Sequence, residues 1–203
     1  MDIKVLNTKS SKIYNSKIFS DFIGKDPGTV SYDSRMFPSV GRIYVAATHQ
    51  GICRISLPAH PVEFFFKTVI KKHDPRIFIQ NNRLFDSLYI QLDEYLTGRR
   101  EVFSIPLDLR GTPFQSEVWE ALTQIPYGET RSYGEMARLI GRPKAVRAIG
   151  QANHVNPVPI LIPCHRVIGA QGELVGYGGG IPLKKHFLTL EKKFRCNFLS
   201  TPL

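Results

Sequence analysis

The sequence predicts two joined domains. The first is an α/β domain with a small antiparallel sheet over residues 1–107, and the second is a mostly helical domain with a helix-turn-helix over residues 108–203. Three observations carry this. "GRIYVAATHQGICRISLP", residues 41–58, holds two alternating strand-like runs joined by a turn signal, a hairpin pattern. From Thr112 onward the chain is punctuated by helix starts and stops instead. With 203 residues, 42% hydrophobic and 22% charged, it is long enough for two cores and has a globular balance.

Taken in order, residues 1 to about 30 are polar and irregular, and their order is doubtful. After the hairpin, "HPVEFFFKTVIKKH" suits a short helix or a strand and breaks at Asp74-Pro75. Leu84, Leu88, Leu92, Tyr95 and Leu96 recur at helical spacing up to Gly98. "VFSIPLDLR" is strand-like. Thr112 then caps a helix with Pro113 at its first position. Ser132 and Glu135 form a capping box for the next helix. Gly141-Arg142 breaks the chain, and a third helix starts with Pro143 in its first turn; together these make a helix-turn-helix pattern. The apolar run Val158 to Ile162 reads as a buried strand leading to Pro163 and Cys164. A Gly-rich loop and a last helix, "PLKKHFLTLEKKF", close the chain.

Composition removes several function classes. No apolar run approaches the ~20 residues that span a membrane, and the N-terminus lacks a secretory signal. A cytoplasmic location, or a nuclear one in a eukaryote, is expected. Cys53, Cys164 and Cys196 are odd in number and widely spaced, which excludes a disulfide framework or a zinc ribbon and leaves a free thiol. The net charge of +10 and pI near 9.7 favour a polyanionic partner.

Three constellations carry chemistry. Cys164 could be an inert buried thiol, a metal ligand lacking evident partners, or a nucleophile. A nucleophile needs a route to thiolate. His165 is adjacent but would face the other way in an extended segment, so direct contact is strained and a bridging water could relay the proton, and Glu191 is the leading carboxylate to orient the imidazole. The third helix carries Ala145, Ala148, Gly150 and Ala152 around Arg147, suiting tight helix packing or close approach to a DNA groove. Arg131, Arg138, Arg142, Lys144 and Arg166 make its surroundings basic. "VGYGGG", residues 175–180, lacks dinucleotide-fingerprint spacing and is either an ordinary loop or a close backbone approach to a ligand.

"SYGEMARLIGRPKAVRAIGQA", "NPVPILIPCHRV" and "GYGGG…KKHFLTLE" occur in order across residues 106–193, and this set resembles the O6-alkylguanine-DNA alkyltransferases. The resemblance implies a ribonuclease H-like N-terminal domain. It also implies DNA repair by irreversible, single-turnover transfer of an alkyl group from O6-alkylguanine, and from O4-alkylthymine, to Cys164. The catalytic group it implies is Cys164, His165, Glu191, Asn156 and Tyr133, with Asn156 bracing the active-site turn. For DNA it implies Arg147 as a finger filling the stack after base flipping, with Tyr133, Ala145, Ala148 and Lys144 beside it in the minor groove. Pro159, Tyr177, Gly178 and Val167 would line the base pocket. Gly178 stands where the family carries Ser, which removes a hydroxyl donor. Thr48 and Cys53 stand where zinc ligands occur in some members, so no metal is expected, and no cofactor. The implied partner is double-stranded DNA containing O6-alkylguanine, met by a monomer, with no membrane. A non-catalytic alkyltransferase-like sensor would carry Trp at position 164. A helix-turn-helix regulator would leave the pocket motifs without purpose, and a Cys-His-Glu hydrolase would turn over.

Overall fold

The computed structural model describes residues 28–75 and 77–199, with the backbone alone for 196–199. Most of the doubtful N-terminal segment lies outside them. Strands β1 (Thr29–Phe37), β2 (Gly41–Thr48), β3 (Gly51–Ser56) and β4 (Ile77–Gln80) form one sheet in the order β3-β2-β1-β4. Helix α1 (Val62–His73) connects β3 to β4, and a 3-10 turn (Arg83–Phe85) leads into α2 (Asp86–Leu96). Alternation along β2 sorts its two faces. Ile43, Val45 and Ala47 join the main core, while Ala46 joins Val30, Cys53, Phe65 and Val69 under α1.

The sheet departs from the expected antiparallel form: β4 runs parallel to β1. A parallel neighbour needs a crossover, and here α1 lies on the path from the hairpin to that edge. β1 escapes pattern reading because Ser31 and Asp33 are buried within it; Tyr89 Oη donates to Asp33 Oδ2 at 2.9 Å. "HPVEFFFKTVIKKH" resolves to a helix that ends at Asp74, whose φ is 44°. "VFSIPLDLR" forms no strand. Pro106 lacks an N–H, and the segment reaches β3 only through Ile52 N–H to Pro106 O (2.9 Å) and Asp108 N–H to Ile52 O (3.0 Å).

The C-terminal half holds α3 (Pro113–Thr123), α4 (Tyr133–Leu139), α5 (Val146–His154) and α6 (Ile181–Leu199), with short strands β5 (Arg131–Ser132) and β6 (Val167–Ile168) paired in parallel. The Ser132–Glu135 capping box is present, and the Thr112 cap proves to be a second one, closed by Gln115. The third helix starts later than Pro143, at Val146, because Ala145 N–H closes a turn on Arg142 O at 2.8 Å. Buried Trp119 of α3 donates its Nε1–H to Ala152 O at 2.9 Å, anchoring the far end of α5. The main core runs unbroken from the sheet face through α2 to Trp119, Phe187 and Cys164. Among the described residues, no helix is long and apolar enough to cross a membrane, and no group of three His, Cys, Asp or Glu could hold a metal ion.

Candidate active site

Residues 157–163 are a tight turn, not the expected strand. Pro157, Pro159 and Pro163 cannot donate to a ladder. Ile160 sits at φ 78°, a conformation costly for a β-branched residue and kept only when its surroundings impose it. Asn156 imposes it. Its Oδ1 accepts from Val158 N–H at 3.1 Å, and its Nδ2 donates to Ile162 O at 2.8 Å. β3 adds Ile55 N–H to Pro157 O at 2.8 Å. Cys164–Arg166 then form one 3-10 turn, which sends three successive side chains in different directions.

Cys164 Sγ lies 3.1 Å from Asn156 Nδ2. Burial pushes its thiol up to about 11, while the Asn156 hydrogen bond and the Lys184 charge pull it down. His165 turns into the core, fully buried, with Nε2 2.8 Å from Glu191 Oε1. Arg166 reaches the same carboxylate through Nε (2.9 Å to Oε2) and Nη2 (3.0 Å to Oε1). Tyr95 Oη donates to Oε1 at 2.7 Å and Gly128 N–H to Oε2 at 3.1 Å. Burial raises the Glu191 carboxyl, but His165 and Arg166 outweigh it and hold it well below the usual range. Burial lowers His165 against the opposing pull of Glu191. At neutral pH the group is therefore an ionised Glu191 paired with Arg166 beside a neutral imidazole. A carboxylate only accepts, so Nε2 carries the imidazole proton. Nδ1 then holds the free lone pair, and it has no hydrogen-bond partner among the described residues.

Cys164 opens onto a cavity of about 400 Å³ lined by Tyr133, Gly150, Asn153, Val175, Tyr177 and Gly178, among others. One wall comes from the helix-turn-helix and the other from the Gly-rich loop. Lys184, fully buried, fastens that loop: Nζ donates to Val167 O (2.6 Å) and Val175 O (2.7 Å). Burial lowers its ammonium to about 8.

Two family models match the chain. One is described as 6-O-methylguanine DNA methyltransferase, ribonuclease-like domain, over residues 30–109, and the other as 6-O-methylguanine DNA methyltransferase, DNA binding domain, over residues 113–193. The chain belongs to the 6-O-methylguanine DNA methyltransferase family. A Methanosarcina acetivorans methylated-DNA–protein-cysteine methyltransferase is 43% identical over 152 residues, 75% of this chain and 92% of the relative. An inducible Bacillus subtilis one is 40% identical over 150 residues, covering 74% and 84%. The crystal structure of Mycobacterium tuberculosis OGT in complex with DNA matches with a TM-score of 0.68 at 39% identity, covering 82% of this chain and 94% of that one.

Within this methyltransferase fold, Cys164, Asn156, Tyr133, Tyr177 and Gly178 meet at the cavities, while His165 and Glu191 form the buried pair behind Cys164. Pro159 lines a smaller adjoining cavity. Val167 differs from expectation. Its side chain is fully buried and lines neither cavity; it contributes its carbonyl to Lys184. Arg147, Ala148 and Lys144 are exposed on and before α5, with Ala145 half-buried. The basic patch is smaller than read from sequence. Arg166 is buried on Glu191, Arg131 pairs with Glu129, and Arg142 pairs with Glu117. Thr48 Oγ1 donates to Asp108 Oδ2 at 2.7 Å, and Cys53 is buried under α1.

Sequence reading missed Tyr95, Lys184 and the role of Arg166. Tyr95 looked like one more apolar position on α2, and Lys184 like one of several surface lysines. The only available signal was the adjacency of Arg166 to His165, since a guanidinium beside a buried segment must find a counter-charge somewhere. Lys184→Met is expected to destabilise the protein by about 1–3 kcal/mol, because it strands the buried Val167 carbonyl and the part-buried Val175 carbonyl. The folded pKa of Lys184 lies below its unfolded value of ~10.4, so the folded state sheds the proton first. Wild-type stability therefore rises relative to the variant between about pH 8 and pH 10. Denaturant melts at pH 7 and pH 9.5 check this; a gap that stays constant refutes the buried ammonium.

Proposed function

We propose that this protein repairs DNA by moving an alkyl group irreversibly and stoichiometrically from O6-alkylguanine, or O4-alkylthymine, in duplex DNA to Cys164. The observation that carries this reading is a thiol at the junction of a base-sized cavity, backed by a buried imidazole whose one free lone pair is Nδ1. The Cys164 proton passes through a bridging water to His165 Nδ1, and Glu191 stabilises the imidazolium. The thiolate attacks the alkyl carbon. An S–C bond forms, the C–O6 bond breaks, and its electron pair leaves on the guanine. Tyr133, on the cavity wall, donates to the ring as that charge develops. The electrophile arrives with the substrate, so the balance needs no cofactor.

The O6 atom of a stacked guanine lies within the duplex, so the base must be flipped, at a cost of a few kcal/mol. Arg147, exposed and without an ion pair among the described residues, then occupies the gap. The small residues Ala145 and Ala148 beside it suit a shallow minor-groove fit that reads little sequence. The protein acts as a monomer in this reading.

Intact-protein mass spectrometry after incubation with duplex DNA containing O6-methylguanine tests the proposal. One methyl group per chain is expected, on the Cys164 peptide. Continued transfer beyond one equivalent, or label on Cys53 or Cys196, overturns it.

A further inference from the structure

A second cavity of about 150 Å³ adjoins the first and shares Cys164, Tyr177 and Gly178 with it. Its remaining walls include residues of the N-terminal half: Arg54 and Leu57 from β3 and beyond, and His60 and Phe64 at the start of α1. His60 and Phe64 stack with ring centroids 4.5 Å apart, and the Arg54 guanidinium lies 5.6 Å from the Phe64 centroid. Gly178 and Tyr177 of the Gly-rich loop line both cavities, and a Cβ at Gly178 would lie 3.7 Å from His60 Nε2. Arg54 Nε is buried with no hydrogen-bond partner among the described residues. A buried guanidinium N–H left unmatched is costly, and the same side chain lines the second cavity, where an incoming acceptor would meet it.

In-line attack places the departing base on one side of the reacting carbon and Sγ on the other. The rest of a longer alkyl group must leave sideways, and the second cavity offers further space bordering Cys164. We propose that this chamber is a subsite for the far end of the alkyl group, and that Arg54 makes it selective for substituents ending in a carboxylate. The inference rests on the alkyl-transfer reading above. Such a substituent brings negative charge toward the Cys164 thiolate, and that repulsion slows attack unless a cation offsets it. Arg54 supplies the cation, and its planar fork matches a carboxylate. Phe64, His60 and Leu57 enclose the methylene groups.

The test compares duplex oligonucleotides that differ only in the O6 substituent: carboxymethyl and 3-carboxypropyl, each against its neutral amide. Second-order rate constants for transfer to Cys164 give an acid-over-amide ratio, which cancels DNA binding and flipping. In Arg54→Met and Arg54→Gln this ratio is expected to fall about tenfold or more for at least one chain length, as when a hydrogen bond to a charged group is removed. Circular dichroism identifies which variant keeps the fold. A ratio unchanged from wild type at both lengths, in whichever variant folds, overturns the subsite while leaving methyl transfer standing. Failure of the wild type to methylate Cys164 from O6-methylguanine overturns the alkyl-transfer reading, and the subsite falls with it.

Discussion

Glu191→Gln is expected to damage this protein twice. Sequence reasoning alone predicts a variant that keeps its fold and loses rate. The structure revises the first half, because Glu191 is the counter-charge of buried Arg166 as well as the partner of His165. Removing one member of a buried ion pair costs about 3–5 kcal/mol, which lowers the melting temperature by roughly 6–20 °C in a chain of this length. The sign with pH follows from the depressed carboxyl. Its folded pKa lies below the unfolded value of ~4.3, so the stabilisation is complete above that value and drains away as pH falls through the folded one. Wild type and variant should therefore differ most at neutral pH and converge in acid. The rate loss needs separating from the stability loss. Adding Arg166→Met removes the stranded charge and should restore much of the melting temperature. Alkyl transfer should remain about a hundredfold slow, the scale of general acid–base assistance. A double variant that reacts at the wild-type rate across pH 6 to 9 would show Glu191 to be a structural partner of Arg166 and nothing more.

Arg147→Ala should slow repair of duplex DNA by roughly ten- to a hundredfold, because in the proposed reaction flipping costs a few kcal/mol and Arg147 offsets part of it. Reaction with free O6-benzylguanine needs no flipping and should change little. Stability should also change little, because Arg147 is exposed and forms no ion pair among the described residues. Stopped-flow rates on the two substrates, measured side by side, check this, and equal losses on both would remove Arg147 from the flipping step. Arg138 and Lys144 are also exposed and unpaired among the described residues, so they are free to meet phosphates. Replacing either should weaken binding similarly on all sequences and flatten its salt dependence.

Local chemistry was legible where it is local. The Thr112 cap, the Ser132–Glu135 capping box, the β2–β3 hairpin and the Gly98 stop are written in neighbouring residues, and each stands where the sequence puts it. Long-range pairing was not. β4 is four residues at an exposed edge, and β1 buries Ser31 and Asp33, so neither shows a clean period. The run Val158 to Ile162 has a strand's composition, yet three prolines and the Asn156 brace turn it into a tight loop. Of the candidate site, Cys164, His165, Glu191 and Asn156 were readable from motif residues. Tyr95 was not, because it meets Glu191 across 96 residues of chain and resembles any core aromatic on α2.

That contact has a bearing on where harm can originate. The two family matches meet at residues 109 and 113, as if the chain could be cut there. Yet Tyr95 closes on Glu191, Ile55 holds Pro157, and one apolar core runs across the seam. Heating should then give a single cooperative transition, since neither half can open without stranding buried groups in the other. The sheet meets neither phosphate nor base in the proposed reaction, yet it shares its folding free energy with the nucleophile. A substitution that merely loosens the β2–β3 hairpin would surface in a cell as unrepaired lesions.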